Sequence, residues 1–212
     1  MGADVPKQFM LLGDKPVLVH TLDAFHRADP AMGLVVVLPE AHIEMWTQMC
    51  KEYATPPHIV APGGATRYDS VASGLAAVPA EAEVVGVHDG VRPFVNRDVV
   101  CRCFAEAAKY GSAVPVIAPV DSFRRVKENG TSEIADRSAL RAVQTPQVFD
   151  AALLRRAYAE GEGGAGFTDD ASVVEALGVE IHLPEGDRLN LKITTPEDMV
   201  VGRAVLDKRL CD

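Results

Sequence analysis

Basic side chains are scarce in this chain: 21 Lys and Arg stand against 30 Asp and Glu, a formal charge of −9 over 212 residues. A sequence-independent polyanion binder draws its affinity from a basic face, so this balance disfavours nucleic acid as a partner. Long apolar runs are missing too. None reaches the roughly 18 residues that span a bilayer, and no signal peptide is apparent. The expectation is a soluble, cytoplasmic protein with no membrane partner. Cysteines number only four (Cys50, Cys101, Cys103 and Cys211), too few for a dense disulfide framework in a chain this long. Cys101 and Cys103 fall in the helical-looking run 96–110, where two positions diverge by about 200° around the axis, so they are expected to be ordinary thiols and not a metal pair. His20, His26, His42, His58 and His182 lack metal-ligand spacing. There is no Walker A sequence and no dinucleotide-binding fingerprint, since the one GxGxxG run, Gly161 to Gly166, follows a helical stretch and not a strand, which disfavours a nicotinamide oxidoreductase.

What is present is ordinary globular material, 48% hydrophobic and 24% charged, enough to bury a core. Short runs rich in Val, Ile or Ala at 34–38, 58–61, 83–88 and 112–118 read as strands. Amphipathic stretches at 16–28, 41–53, 67–78 and 98–110 read as helices between them. Alternation of this kind predicts βαβ units, and hence an α/β, Rossmann-like, mostly parallel twisted sheet flanked by helices. Ligands of such sheets bind at the carboxyl ends of the strands.

The alternation breaks after Val120. Phe123-Arg124-Arg125-Val126, an Asn129-Gly130 turn and 131–137 read as a polar β-hairpin. It is either a surface flap or an arm that packs on a partner chain, since an isolated ribbon is marginal in water. Helices are expected again at 150–160 and 168–177, short strands at 180–183 and 189–193, and a last helix opened by Thr195-Pro196-Glu197-Asp198. Glu160 to Gly166 is a Gly-rich loop.

Three segments carry candidate chemistry. His88-Asp89-Gly90-Val91-Arg92-Pro93 follows an apolar strand. Asp89 there is placed either to hold Mg²⁺ against phosphate oxygens or to cap a helix, with Arg92 a candidate phosphate contact. Gly63-Gly64-Ala65-Thr66-Arg67 also follows a strand and opens a helix, suiting backbone approach to an anion, or else simply a turn capped by Thr66. Lys7 and Lys192 lie far apart in sequence, and their convergence on one phosphate cannot be read from it. His88 reads as a satisfied strand-end histidine.

Taken together, Pro6-Lys7-Gln8-Phe9, Gly63-Gly64 with Arg67-Tyr68-Asp69-Ser70, the hexapeptide at His88, Thr145-Pro146-Gln147, Thr168-Asp169-Asp170-Ala171 and Asn190-Leu191-Lys192-Ile193-Thr194-Thr195-Pro196-Glu197-Asp198 occur in an order and spacing that resemble the 2-C-methyl-D-erythritol 4-phosphate cytidylyltransferases of the non-mevalonate isoprenoid pathway. The resemblance runs from residue 1 to about residue 205. The family begins with a strand and a Gly-rich loop ending in Arg-Met-Gly. Met1-Gly2 match the end of that loop, so the strand and most of the loop are not in the sequence as given. Leu189 stands where many relatives carry a polar or acidic residue.

The resemblance implies one nucleotidyltransferase domain over 1–212, with a β-arm at about 121–143 that makes a homodimer. It implies CTP and methylerythritol phosphate as substrates and Mg²⁺ as cofactor. Asp89 would hold the metal, while Lys7 and Lys192 would neutralise charge around the α-phosphate. Gly64, Ala65, Arg67 and Ser70 would form the cytosine pocket. Gly90 and Arg92 would contact the acceptor's phosphate or the ribose side of the site, and Ser122, Arg137 and Thr145 would grip methylerythritol phosphate alongside Lys192, Ser122 and Arg137 from the partner's arm. Two other readings compete: a ribitol 5-phosphate cytidylyltransferase of the same fold, and a non-catalytic nucleotide-binding module.

Overall fold

The computed structural model describes residues 5–161 and 166–209; Met1-Gly2, Cys211 and the middle of the Gly-rich loop lie outside them. Strands are β1 (Leu11–Leu12), β2 (Lys15–Pro16), β3 (Val35–Leu38), β4 (Ile59–Pro62), β5 (Val84–Val87), β6 (Ser112–Ala113), β7 (Val116–Ile117), β8 (Phe123–Val126), β9 (Ser132–Ala135), β10 (Ala142–Val143) and β11 (Gln147–Asp150). Helices are α1 (Val17–Ala28), α2 (Glu40–Tyr53), α3 (Arg67–Ala77), α4 (Arg97–Tyr110), α5 (Ala151–Glu160), α6 (Asp170–Glu175) and α7 (Pro196–Arg209). No helix among the described residues is long and apolar enough to cross a membrane.

The α/β layering follows from alternation along the strands. Ala113 and Val148 face a core with Phe25, Val99, Val100 and Cys103 of α1 and α4. Their neighbours Val114 and Phe149 face the opposite core, with Leu75, Leu154 and Val174 of α3, α5 and α6. Successive side chains of a strand point to opposite faces, so two apolar neighbours in β11 need a helical layer on each side. Gly86 of β5 has a packing reason: a β-carbon there would come within 3.1 Å of the Phe104 ring.

The α/β class stands, but the pairing is more mixed than a mostly parallel sheet. β3 and β4 pair in parallel, whereas β11 runs antiparallel between β5 and β6. The antiparallel strand is the chain's return after the arm. Segment 112–118 is split by Pro115, which has no N–H to donate to a ladder. The expected strands at 180–183 and 189–193 are not strands, although the first of these segments accepts a hydrogen bond from Val114 N at the His182 carbonyl. β3 and β5 do not pair with each other, and a groove lined by both strands reaches Arg67, Ser70 and Asp89 at their carboxyl ends.

The hairpin forms as β8 and β9, with Gly130 in the left-handed region at φ 79°. All four residues of β8 are exposed, and Val126 and Ile134 keep 72% and 79% of their surface in water. Cys103 is buried and its thiol is pushed up to about 12 by that burial, whereas Cys101 is exposed. The two thiols diverge as helical spacing requires. Among the described residues no cluster of three or more His, Cys, Asp or Glu could hold a metal ion by itself.

Candidate active site

Gly63 and Gly64 form the turn from β4 into α3. A β-carbon on Gly64 would lie 2.2 Å from that of Asp69, so only glycine fits. The turn folds because α3 carries a capping box: the Thr66 hydroxyl accepts from Asp69 N, and Asp69 Oδ2 accepts from Thr66 N. Ser70 then donates to the Thr66 carbonyl at 2.8 Å and accepts from Gly64 N at 3.1 Å. The capping role of Thr66 is therefore realised, and it shapes a turn beside the groove. Arg67 and Ser70 line that groove, as do His88, Asp89 and Gly90 from the end of β5. Ala65 lies exposed at the turn.

Asp89 is the hub of the opposite wall. It caps no helix; its carbonyl accepts from Arg92 N at 2.9 Å to close a turn. Its Oδ2 takes Arg92 Nε at 3.1 Å and Lys192 Nζ at 3.0 Å. Burial pushes this carboxyl up, but the hydrogen bonds and charges of Lys192 and Arg92 outweigh it and hold it below the usual carboxylate range. Asp89 is thus ionised at neutral pH. Thr145 is buried and accepts from Asp89 N at 3.1 Å. Arg92 also donates to the Asn190 carbonyl at 2.8 Å, and the Asn190 side chain donates to the Thr145 carbonyl at 2.8 Å. The segment 190–192, though not a strand, is fastened to the Asp89 turn by these bonds.

The structure thus brings together Asp89, Arg92, Thr145 and Lys192, with Gly90, Arg67 and Ser70 along the same groove. It does not bring every candidate there. Lys7 is exposed on a single 3₁₀ turn and makes no side-chain contact with the Asp89 cluster among the described residues. Ser122 and Arg137 are exposed on the arm, where Arg137 donates to the Val120 carbonyl.

Two groups of residues were not assigned roles by sequence reasoning. Asn190 is 1% exposed, and its Oδ1 is buried with no partner among the described residues. Asp170, fully buried, accepts from both terminal guanidinium nitrogens of Arg67 and from the Tyr158 hydroxyl. Their motifs were visible, but partners 98 and 103 positions away were not.

His88 is satisfied, as its position suggested. Its ring contacts the Arg92 carbonyl at 3.1 Å and the Thr145 hydroxyl at 2.9 Å. Burial pushes its imidazole down to about 4, with the Arg92 charge helping and the Asp89 charge opposing. A depressed histidine costs little at pH 7, where it is mostly neutral folded or unfolded. As pH falls through the unfolded value near 6.5, the unfolded chain takes the proton first, and stability is lost until the folded value is reached. From pH 7 to 5 this group should remove about 1 to 2 kcal/mol. Denaturant unfolding at both pH values should show a smaller loss in His88→Asn than in the parent. Equal losses would contradict the assignment.

The sequence model of the 2-C-methyl-D-erythritol 4-phosphate cytidylyltransferases matches residues 1–208. The enzyme of that name from Bacteroides fragilis is 51% identical over 207 residues, 97% of this chain and 93% of its own. That from Bacteroides thetaiotaomicron is 49% identical with the same coverage. The crystal structure of the Thermus thermophilus enzyme superimposes with a TM-score of 0.80 at 37% identity, over 95% of this chain and 94% of that one. The ribitol 5-phosphate reading finds no support among these relatives. The chain belongs to the 2-C-methyl-D-erythritol 4-phosphate cytidylyltransferase family, enzymes of nucleotidyl transfer with a Rossmann-like α/β fold.

Proposed function

We propose that this chain joins CTP to 2-C-methyl-D-erythritol 4-phosphate at the groove walled by Arg67, Ser70 and Asp89, releasing pyrophosphate. The observation that carries the reading is Asp89 at the end of β5, with Arg92 and Lys192 on one of its oxygens and Arg67 and Ser70 lining the same groove. The acceptor's phosphate oxygen bonds to the α-phosphorus of CTP in line as the bond to the β-phosphate oxygen breaks. That nucleophile is already largely anionic at pH 7, with a second pKa of about 6, so no general base is needed. The site agrees: both ring nitrogens of His88 are engaged by the protein. Catalysis rests on positioning and charge neutralisation.

Mg²⁺ fits this donor set. Magnesium is commonly held by one or two carboxylates plus substrate phosphates, and Asp89 supplies one carboxylate kept ionised by Lys192 and Arg92 and lining the groove. Bound there, it would neutralise triphosphate charge. Lys192 would exchange Asp89 for phosphate when nucleotide enters, and Lys7 would join it from the N-terminal turn. Gly64, Ala65 and Ser70 would read cytosine with Arg67 bordering that pocket, and Gly90 and Thr145 would face the acceptor side. Arg92, tied to Asp89 and Asn190, serves chiefly to fix the turn. Pyrophosphate release with CTP and either methylerythritol phosphate or ribitol 5-phosphate tests the assignment. Strong preference for the former is expected; preference for the latter would overturn it.

The chain is read as one cytoplasmic domain over 1–212 whose arm at 121–143 makes a homodimer. Phe123, Val126 and Ile134 leave apolar surface on a two-stranded ribbon, which needs a partner to be stable. Ser122 and Arg137 would then serve the partner's site. In that case Asp89→Asn and Arg137→Ala homodimers should both be nearly inactive. Refolding them together makes half the dimers mixed, each with one intact site, so about a quarter of sites recover. No recovery, with mixed dimers confirmed by native mass spectrometry, would leave the hairpin a flap.

A further inference from the structure

Around Asp89 runs a chain of hydrogen bonds whose polarity is fixed by chemistry. The Arg92 carbonyl can only accept, so His88 Nε2, 3.1 Å away, is the donor. In a neutral imidazole the other nitrogen, Nδ1, then carries a lone pair. The Thr145 hydroxyl, 2.9 Å from Nδ1, must point its hydrogen there. Its oxygen keeps lone pairs for the Asp89 N–H at 3.1 Å. The order is Asp89 N–H to Thr145, Thr145 O–H to His88, and His88 N–H to Arg92.

The chain closes on itself. Arg92 N donates back to the Asp89 carbonyl at 2.9 Å, and Arg92 Nε to the Asp89 carboxylate at 3.1 Å. Both the amide and the carboxylate of Asp89 are therefore set by groups that His88 links. The ring is itself fixed by Phe25, edge-on at 4.8 Å between centroids. Phe25 is 7% exposed in the α1–α4 core, so the ring is braced against the core and not against another loop.

We infer that His88 is a positioning residue: as the neutral Nε2–H tautomer it holds the Asp89 carboxylate in the orientation the nucleotide site uses, acting through Thr145 and Arg92. This rests on the catalytic reading of Asp89. The bonding order is directional, so a residue of the same shape without donor and acceptor will not replace it. Asparagine retains an acceptor near the place of Nδ1, whereas phenylalanine retains only shape.

Nitrogen-15 NMR of histidine-labelled protein at pH 7 should show His88 with Nε2 protonated and Nδ1 bare; the opposite tautomer would overturn the chain. His88→Phe should lower kcat about tenfold to a hundredfold, as loss of an outer partner of a ligand does, with KM for CTP changed less than about twofold. His88→Asn should recover part of that loss. An unchanged kcat in His88→Phe, or no recovery in His88→Asn, would count against the role. Because His88 acts through Asp89, adding His88→Phe to Asp89→Asn should change the residual turnover less than about twofold. Independent, multiplying losses would overturn the positioning role while leaving Asp89 catalytic. If Asp89→Asn alone kept full turnover, it would be the reading of Asp89 that failed. Should the phenylalanine variant not fold, the wild-type tautomer and His88→Asn carry the test.

Discussion

Asp89→Asn should lower turnover at least about a hundredfold, the scale seen when one pre-organised charge contact of a transition state is removed. The substitution keeps volume and an oxygen that accepts from Arg92 Nε, so the turn from Asp89 to Arg92 should persist. What it removes is the negative charge that Arg92 and Lys192 now share. The groove becomes more cationic, so CTP should still bind, and the loss should appear in kcat and in metal dependence. Lys192→Ala is the contrasting lesion. It leaves Asp89 with Arg92 alone and should lower kcat with little change in the metal requirement, because its task is to meet charge during displacement. Turnover rates in both variants across Mg²⁺ concentrations check the pair. Near-normal turnover in Asp89→Asn at every concentration would show that this carboxylate only shapes the turn.

Arg67→Met should destabilise the chain by about 3 kcal/mol, more than Asp170→Asn does. The asymmetry comes from burial: the Asp170 side chain is 0% exposed, whereas Arg67 keeps 42% of its side chain in water. Removing Arg67 strands a buried carboxylate with the Tyr158 hydroxyl as its remaining side-chain partner. Removing the charge of Asp170 leaves a guanidinium that water can solvate. The double variant should regain part of the loss of Arg67→Met, because no unpaired buried charge remains. Denaturant midpoints with unchanged slopes would measure all three. Equal destabilisation by the two single variants would contradict the burial argument. The pair matters to the site because it ties the start of α3, next to Gly64, to α6 across the groove wall.

Much of this was legible in the sequence, for physical reasons. β3, β4 and β5 are apolar runs set off by breakers, and their helices carry stripes of apolar residues, so local pattern and tertiary role agree. Asp89 could be placed because a strand's end in an α/β sheet is where ligands bind. The Asn-Gly turn announced the hairpin. β11 was not legible: Gln147-Val148-Phe149-Asp150 is too short for periodicity, and its antiparallel course is set by contacts with β5 and β6. The run 180–183 showed the converse, with strand-like composition but no strand ladder, Val114 N donating to its His182 carbonyl at 2.9 Å. The ties of Arg92 to Asn190 and Arg67 to Asp170 join distant segments, and no local pattern encodes them.

The most direct test of the account is a crystal structure of this chain with CTP, Mg²⁺ and an unreactive analogue of methylerythritol phosphate. The account predicts the metal on Asp89, Lys192 Nζ moved from Asp89 Oδ2 to a phosphate oxygen, and the cytosine against the Gly64–Ser70 turn. A metal bound away from Asp89, with the Asp89–Lys192 ion pair still closed over the nucleotide, would contradict it.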